Sequence, residues 1–251
     1  MNYRTFSLTI LTTLILSFTG CIVIDSMNGP DNDNDRDAII GSGKIITATF
    51  PFKNFSKILL NNSAKAKIRK SSTYSIQIAL DDNIEKYMNA YQSSNEVSIG
   101  LDNKSYKNIT FDVTIESPDL SSLNINGAAS VTLEGFDLNN GIDIVSSGAS
   151  VIRGYLTATE VNFNLTGASV VDLTGSASEM RLYGSGGTVF NLFNFPVKNC
   201  DVSLSGGSIS NIQVSDILDL TLSGGSILKY KGNPVIRRTT ISGGSIIQKV
   251  N

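Results

Sequence analysis

Thr221-Leu222-Ser223-Gly224-Gly225-Ser226-Ile227 decides how this chain folds, because the same phrase keeps returning. Close copies are Asn164-Leu165-Thr166-Gly167-Ala168-Ser169-Val170, Ser203-Leu204-Ser205-Gly206-Gly207-Ser208-Ile209 and Thr240-Ile241-Ser242-Gly243-Gly244-Ser245-Ile246. The marker is a small turn followed by a hydroxyl residue and a β-branched one. Its hydroxyls are Ser130, Ser150, Ser169, Thr188, Ser208, Ser226 and Ser245, with gaps of 20, 19, 19, 20, 18 and 19. The residues that follow are Val131, Val151, Val170, Val189, Ile209, Ile227 and Ile246. A fixed period of about 19 with short alternating stretches is the mark of a solenoid, whose units bury their apolar sides only by stacking.

Each copy reads as a strand, a tight corner at the glycines and a second strand. Glycine suits the corner because it accepts positive φ and lets stacked coils approach closely. The hydroxyls then fall in one column, where they can bond to each other or to the corner backbone. Coils of ~19 residues are too short for propeller blades of ~40, and the leucine-rich and calcium-binding nonapeptide patterns are missing. The expected fold is all-β, a right-handed parallel β-helix, the hand following from the rule for parallel crossovers.

Upstream, residues 39–122 also alternate with period two. Examples are Ile58/Leu60, Ala64/Ala66/Ile68, Ile76/Ile78/Leu80, Val97/Ile99/Leu101 and Phe111/Val113/Ile115, which are strand signatures. Leu60-Asn61-Asn62-Ser63-Ala64 looks like a degenerate copy of Leu123-Asn124-Ile125-Asn126-Gly127-Ala128. Ile84, Tyr87, Met88 and Tyr91 have helical spacing, predicting a short helix or turn at 83–91. We therefore expect one β-helix domain over 39–251, with irregular coils at 39–122 and regular ones at 123–251.

The first residues read as an address. Arg4 precedes an apolar run from Leu8 to Phe18, 11 residues long, which is signal-peptide length and too short to span a bilayer. Phe18-Thr19-Gly20-Cys21 follows and resembles a bacterial lipobox. This predicts a signal peptide over 1–20 and an acylated Cys21 anchoring the chain to membrane. Asp25, Asp31, Asp33, Asp35 and Asp37 lie among Asn, Gly and Pro, a composition that cannot bury itself. Residues 21–38 are thus expected to form the lipidated Cys and a flexible acidic linker. The acidic stretch resembles signals that send some Bacteroidetes lipoproteins to the outer face of the outer membrane.

Composition narrows the chemistry. The formal net charge is −2 over 251 residues, which argues against nucleic acid as a partner, since that needs a basic surface. There is no His and no Trp. Ser-His-Asp and Cys-His catalysis are therefore excluded, together with the commonest metal ligand. The two cysteines, Cys21 and Cys200, offer no disulfide framework. Alternation turns Cys200 inward beside Val202 and Leu204, where it acts as a small hydrophobe. One acid per coil at drifting offsets, such as Asp201, Asp216 and Asp219, reads as solvated corners instead of a hydrolase or lyase centre. No catalytic, cofactor or metal residues are expected.

Lys65, Lys67 and Arg69 alternate with Ala64, Ala66 and Ile68. This basic row is either a solubilising or edge-guarding face or a candidate contact for an anionic glycan or lipid headgroup. The last marked coil leaves no room for a cap, so a second copy of the chain is a candidate partner at the solenoid end, with Lys249 the alternative guard.

The corners, the lipobox, Gly41-Ser42-Gly43, Phe52-Lys53-Asn54-Phe55 leading to Ile58, and Ser117-Pro118-Asp119-Leu120 together resemble the family described as putative auto-transporter adhesin, head GIN domain, over about residues 40–251. The resemblance implies a β-helical cell-envelope protein with an adhesive role; taken with the lipobox and the acidic stretch, the expectation is an outer-membrane lipoprotein, on its surface or periplasmic face, with a glycan or protein as candidate ligand. It carries no agreed catalytic or ligand residues. The alternatives are a self-assembling structural envelope protein and a polysaccharide-active enzyme.

Overall fold

The computed structural model describes residues 37–62 and 64–251. The expected signal peptide, Cys21 and the acidic stretch before Asp37 lie outside the described residues. Strands β1 (Ile39–Ile40), β2 (Ile45–Phe50), β3 (Lys57–Asn61), β4 (Lys65–Lys70) and β5 (Ser75–Asp81) are followed by a 3-10 helix, Asp82–Tyr87. Then come β6 (Met88–Ser93), β7 (Glu96–Leu101), β8 (Tyr106–Lys107), β9 (Phe111–Ser117), β10 (Ser122–Gly127), β11 (Ser130–Asp137) and β12 (Ile142–Gly148). The regular coils use β13 (Val151–Gly167), β14 (Val170–Gly184), β15 (Val189–Leu204) and β16 (Ile209–Leu222). The chain closes with β17 (Ile227–Lys231), β18 (Val235–Ile241) and β19 (Ile246–Lys249).

The result is an all-β solenoid of about 7 turns. Every pairing from β10 to β19 is parallel. Each long strand runs along one face, bends in the middle and returns along the other. The Gly-Gly/Ala-Ser elbow then lifts the chain to the next coil. The elbow has its own ladder, in which Gly187 N–H donates to Gly167 O at 2.7 Å and Gly207 N–H to Gly186 O at 2.7 Å. Gly206 sits at φ +68°, the left-handed region that side chains resist.

Period-two alternation fills the interior with aligned columns. Ile152, Val171, Phe190, Ser210 and Leu228 stack in register along one face. Phe163, Leu182, Val202 and Leu220 stack along the other. Phe163 and Phe190 meet across the core with ring centres 5.9 Å apart, edge to face. Ser210 breaks its apolar column, and its buried Oγ has no hydrogen-bond partner. A buried unpaired hydroxyl costs about 1–3 kcal/mol. Ser210→Ala should therefore stabilise the protein by about 1 kcal/mol, read as a rise in the urea midpoint at unchanged slope.

The amino-terminal part departs from a plain run of coils. The coil made by β3 and β4 lies between the β7/β9 coil, which follows it in sequence, and the β10/β11 coil. Beyond β7 and β9 the pairing turns antiparallel, with β6 on β7, β5 on β9 and β2 on β5. These strands and the 3-10 helix cap the solenoid, and Ile84 of that helix is fully buried beneath the core. Helical spacing at 83–91 is realised only over 82–87; Met88 and Tyr91 belong to β6. The degenerate copy is real in register, for Leu60 pairs with Ile125. Asn62 replaces the elbow glycine Gly127 at φ 66°.

Candidate functional site

The hydroxyl column is a structural device. Ser150, Ser169, Thr188, Ser208 and Ser226 are fully buried at successive elbows. Thr188 Oγ1 donates to Ser208 Oγ at 3.0 Å, Ser208 Oγ to Ser205 O at 2.8 Å and Ser226 Oγ to Ser223 O at 2.7 Å. Ser245 extends the line in the last coil, donating to Gly224 O at 3.4 Å. Ser130 does not belong to it. It pairs with Val151, so Ala129 takes the column position opposite Ser150, and Ser130 points to solvent. The first elbow is Gly127-Ala128-Ala129, and counting from its glycine instead of its serine would have found this. The same one-residue offset turns Val131 inward, whereas Val151, Val170, Val189, Ile209 and Ile227 face out, half-buried.

The basic row lies on the outside of β4 as the alternation predicts, with Ala66 and Ile68 inward. Strand β4 is interior to its sheet, between β9 and β11, so these residues do not guard an edge. Register brings acids to them: Arg69 stands between Glu116 and Glu134. Arg69 Nε donates to Glu134 at 3.0 Å and Nη1 to Glu116 at 3.3 Å, while Lys67 Nζ is 3.6 Å from Glu134. The hydrogen bond from Arg69 holds the Glu134 carboxyl below its ordinary range.

Stacking builds a second charged cluster that linear reading passed over. Asp219, with its side chain 5% exposed, accepts from Arg237 Nε at 3.2 Å and Arg238 Nη2 at 2.7 Å, and Arg238 also reaches Asp201 at 3.6 Å. Arg181 pairs with Glu160, and Asn199 Nδ2 donates to Glu179 at 2.7 Å. Around them lies a cleft of about 380 Å³. Arg237, then Arg238, hold the Asp219 carboxyl well below the usual aspartate range. Asp219 is therefore no candidate for a general acid, which needs a raised value. Because its folded value is depressed, its contribution to stability is complete above the ordinary value of 3.8 and is lost as pH falls from there toward the folded value. Acid titration should thus show an unfolding step in that window that Asp219→Asn weakens, followed by circular dichroism. Among the described residues no cluster of three or more acidic or thiol groups could hold a metal. Cys200 is buried in the column between Met180 and Leu218, and burial pushes its thiol up, away from reactivity.

A further depression follows the mid-coil bend. It is a groove of about 600 Å³, within the range of small-ligand sites. Ala158, Ala177, Val197 and Val214 form its apolar floor, and Ser176, Ser178, Lys198 and Gln213 its polar sides. Beside it β15 carries the extra residues Phe193–Phe195, where the register with β16 slips between Leu192 and Pro196, and Pro196 lines the groove.

The family described as "Putative auto-transporter adhesin, head GIN domain" matches residues 54–234. The chain belongs to this family. Solved structures share its fold. A putative adhesin from Bacteroides fragilis is 25% identical with a TM-score of 0.80, covering 85% of this chain and 100% of that one. A putative lipid binding protein from Parabacteroides distasonis is 18% identical with a TM-score of 0.69, covering 85% and 100%. A putative adhesin from Parabacteroides merdae is 18% identical with a TM-score of 0.65, covering 86% and 100%. No curated protein sequence matches the chain.

Proposed function

We propose that this chain is a non-catalytic adhesion module of the bacterial envelope, held to the membrane through Cys21, that takes its ligand along the outside of the stacked coils. Membership of an adhesin-like family supports this reading. The observation that carries it is the bend groove, an apolar floor of Ala and Val with polar sides that include Lys198. Among its described lining residues Lys198 is the one charged side chain, so no acid–base pair is assembled there. Beads coated with the chain should adhere to a glycan or matrix-protein surface, and Ser178→Arg, which obstructs the groove from its rim, should cut adherence at least tenfold. Unchanged adherence would remove the groove from the reading. Cys21→Ser should move the chain from the membrane to the soluble fraction, and protease treatment of intact cells distinguishes the outer surface from the periplasm. In the row Lys65, Lys67 and Arg69, the latter two contribute an anionic contact only in competition with Glu116 and Glu134, so charge reversal of the row is expected to matter less than Ser178→Arg.

A second reading, self-association through the last coil, is favoured by β18. This strand is exposed along its whole length and pairs only with β16 among the described residues, with Val235 69% and Ile246 of the adjoining β19 54% exposed. Its arginines fold back onto Asp219, and Lys249 Nζ donates to Asn233 Oδ1 at 2.6 Å. Light scattering across a concentration series tests it: a strict monomer at high concentration ends it.

A further inference from the structure

A polar trough lies on the cap. It lies on the outer side of β3, β7 and β6 and has a volume of about 410 Å³. The floor is made of small residues. Ser98 and Gly100 of β7 are buried between larger neighbours on both flanking strands. Asn61 and Asn62 form one wall; Asn89 and Tyr91 of β6 form the other. Asp102 and Asn103 close one end. A Cβ at Gly100 would come within 2.7 Å of the Asn61 side chain, so glycine keeps this part of the floor open.

The wall amides are oriented by bonds to one another. Asn61 Nδ2 donates to Ser98 Oγ at 3.3 Å and its Oδ1 accepts from Asn126 at 3.1 Å. Asn89 Nδ2 donates to Asp102 Oδ1 at 2.7 Å, and Asn62 Nδ2 donates to the Leu101 carbonyl. Tyr91 is different: it is 56% exposed and its hydroxyl, like the Asn103 amide, bonds to no described residue. Among the described residues no Lys or Arg lines the trough, and Asp102 is its one carboxylate.

Planar amides and a carboxylate offer donors and acceptors side by side, the pattern that matches adjacent hydroxyls of a sugar, which also donate and accept. An exposed tyrosine ring beside them gives the apolar C–H face of a pyranose a surface to lie on, with a polar tip for one more hydroxyl. The lack of a cation disfavours phosphate, sulfate or carboxylate ligands. We propose that this trough binds a neutral saccharide, its ring stacked on Tyr91 and its hydroxyls held by Asn61, Asn89, Asp102 and Asn103. This rests on the reading of the chain as a binding module and adds a second ligand site, on the cap instead of the bend.

The test uses the full chain, with neutral hexasaccharides of glucose, mannose or galactose as probes and a sulfated hexasaccharide as the charged comparison, followed by calorimetry and saturation-transfer NMR. The expected result is saturable binding of at least one neutral probe, magnetisation transfer from a tyrosine ring, and weakening of at least tenfold by Tyr91→Ala and by Asn89→Ala. Tyr91→Phe should retain most of the affinity, and the sulfated probe should bind more weakly. Tyr91 and Asn89 are exposed on β6, which among the described residues pairs only with β7, so both variants should keep the wild-type circular dichroism. No binding of any neutral probe, or binding that both variants leave unchanged, overturns the proposal. Bead adherence sensitive to Ser178→Arg would then still stand for the adhesion reading. Conversely, Tyr91-dependent sugar binding without adherence would keep the trough and end that reading.

Discussion

Gly175→Ala should destabilise the protein by at least about 3 kcal/mol, among the largest effects a single methyl group can have. Gly175 lies at the mid-coil bend with φ +127°, where a Cβ would overlap the carbonyl oxygen of Leu156 in the coil beneath. Leu156 is its ladder partner. Coil spacing is fixed at ~4.8 Å by hydrogen bonds on both faces, so the backbone cannot yield locally. The substitution combines a forbidden backbone conformation with a steric overlap against main chain. Gly207→Ala is the matched control. Its Cβ would meet Gly186 O at an ordinary 3.7 Å, and Ala149 and Ala168 already occupy the equivalent elbow position. It should change stability by less than about 0.5 kcal/mol. Urea unfolding of both variants checks the contrast; equal effects would mean that coil spacing is not the constraint.

Asp81→Ala should cost about 2–4 kcal/mol and open the cap. The Asp81 side chain, in a residue 1% exposed, accepts from Gly43 N–H at 2.6 Å and from Thr110 N–H at 2.7 Å. One carboxylate thus ties the segment before β2 to the segment before β9. Its loss leaves two backbone donors without their partner. Asp81→Asn is expected to recover little, because its one amide oxygen can serve only one of the two donors. Hydrogen exchange should rise first around 41–46 and 108–112 and leave 150–230 protected. A uniform loss of protection would show that the cap and coils unfold as one unit.

Much of the fold was legible in local pattern. The elbow phrase and the period-two alternation predict which residues stack and which face inward, down to Cys200 and the buried hydroxyl column. The error at Ser130 came from counting hydroxyls instead of glycines. The elbow is set by the residue at positive φ, so Gly127-Ala128-Ala129 keeps the geometry without the hydroxyl. Charge pairing was missed because nearness was sought along the chain. In a solenoid a residue's neighbour is one coil away: Asp219 meets Arg237 and Arg238 at separations of 18 and 19, and Glu160 meets Arg181 at 21. Applying the repeat period to the charged residues would have found all three. The saccharide trough had no such signal, because Asn61 and Tyr91 share no repeat.

The sequence by itself determined the coil. Glycines at fixed intervals set the elbows, and alternation sorts core from surface, since both depend only on residues a few positions apart and on the chain stacking upon copies of itself. Tertiary structure alone decided the order of the first coils, the antiparallel cap and the trough that the cap creates. Those depend on β7 and β9 stacking on β3 and β4, and on contacts such as those of Asp81 with Gly43 and Thr110, between residues far apart in the chain whose strands share the same alternation.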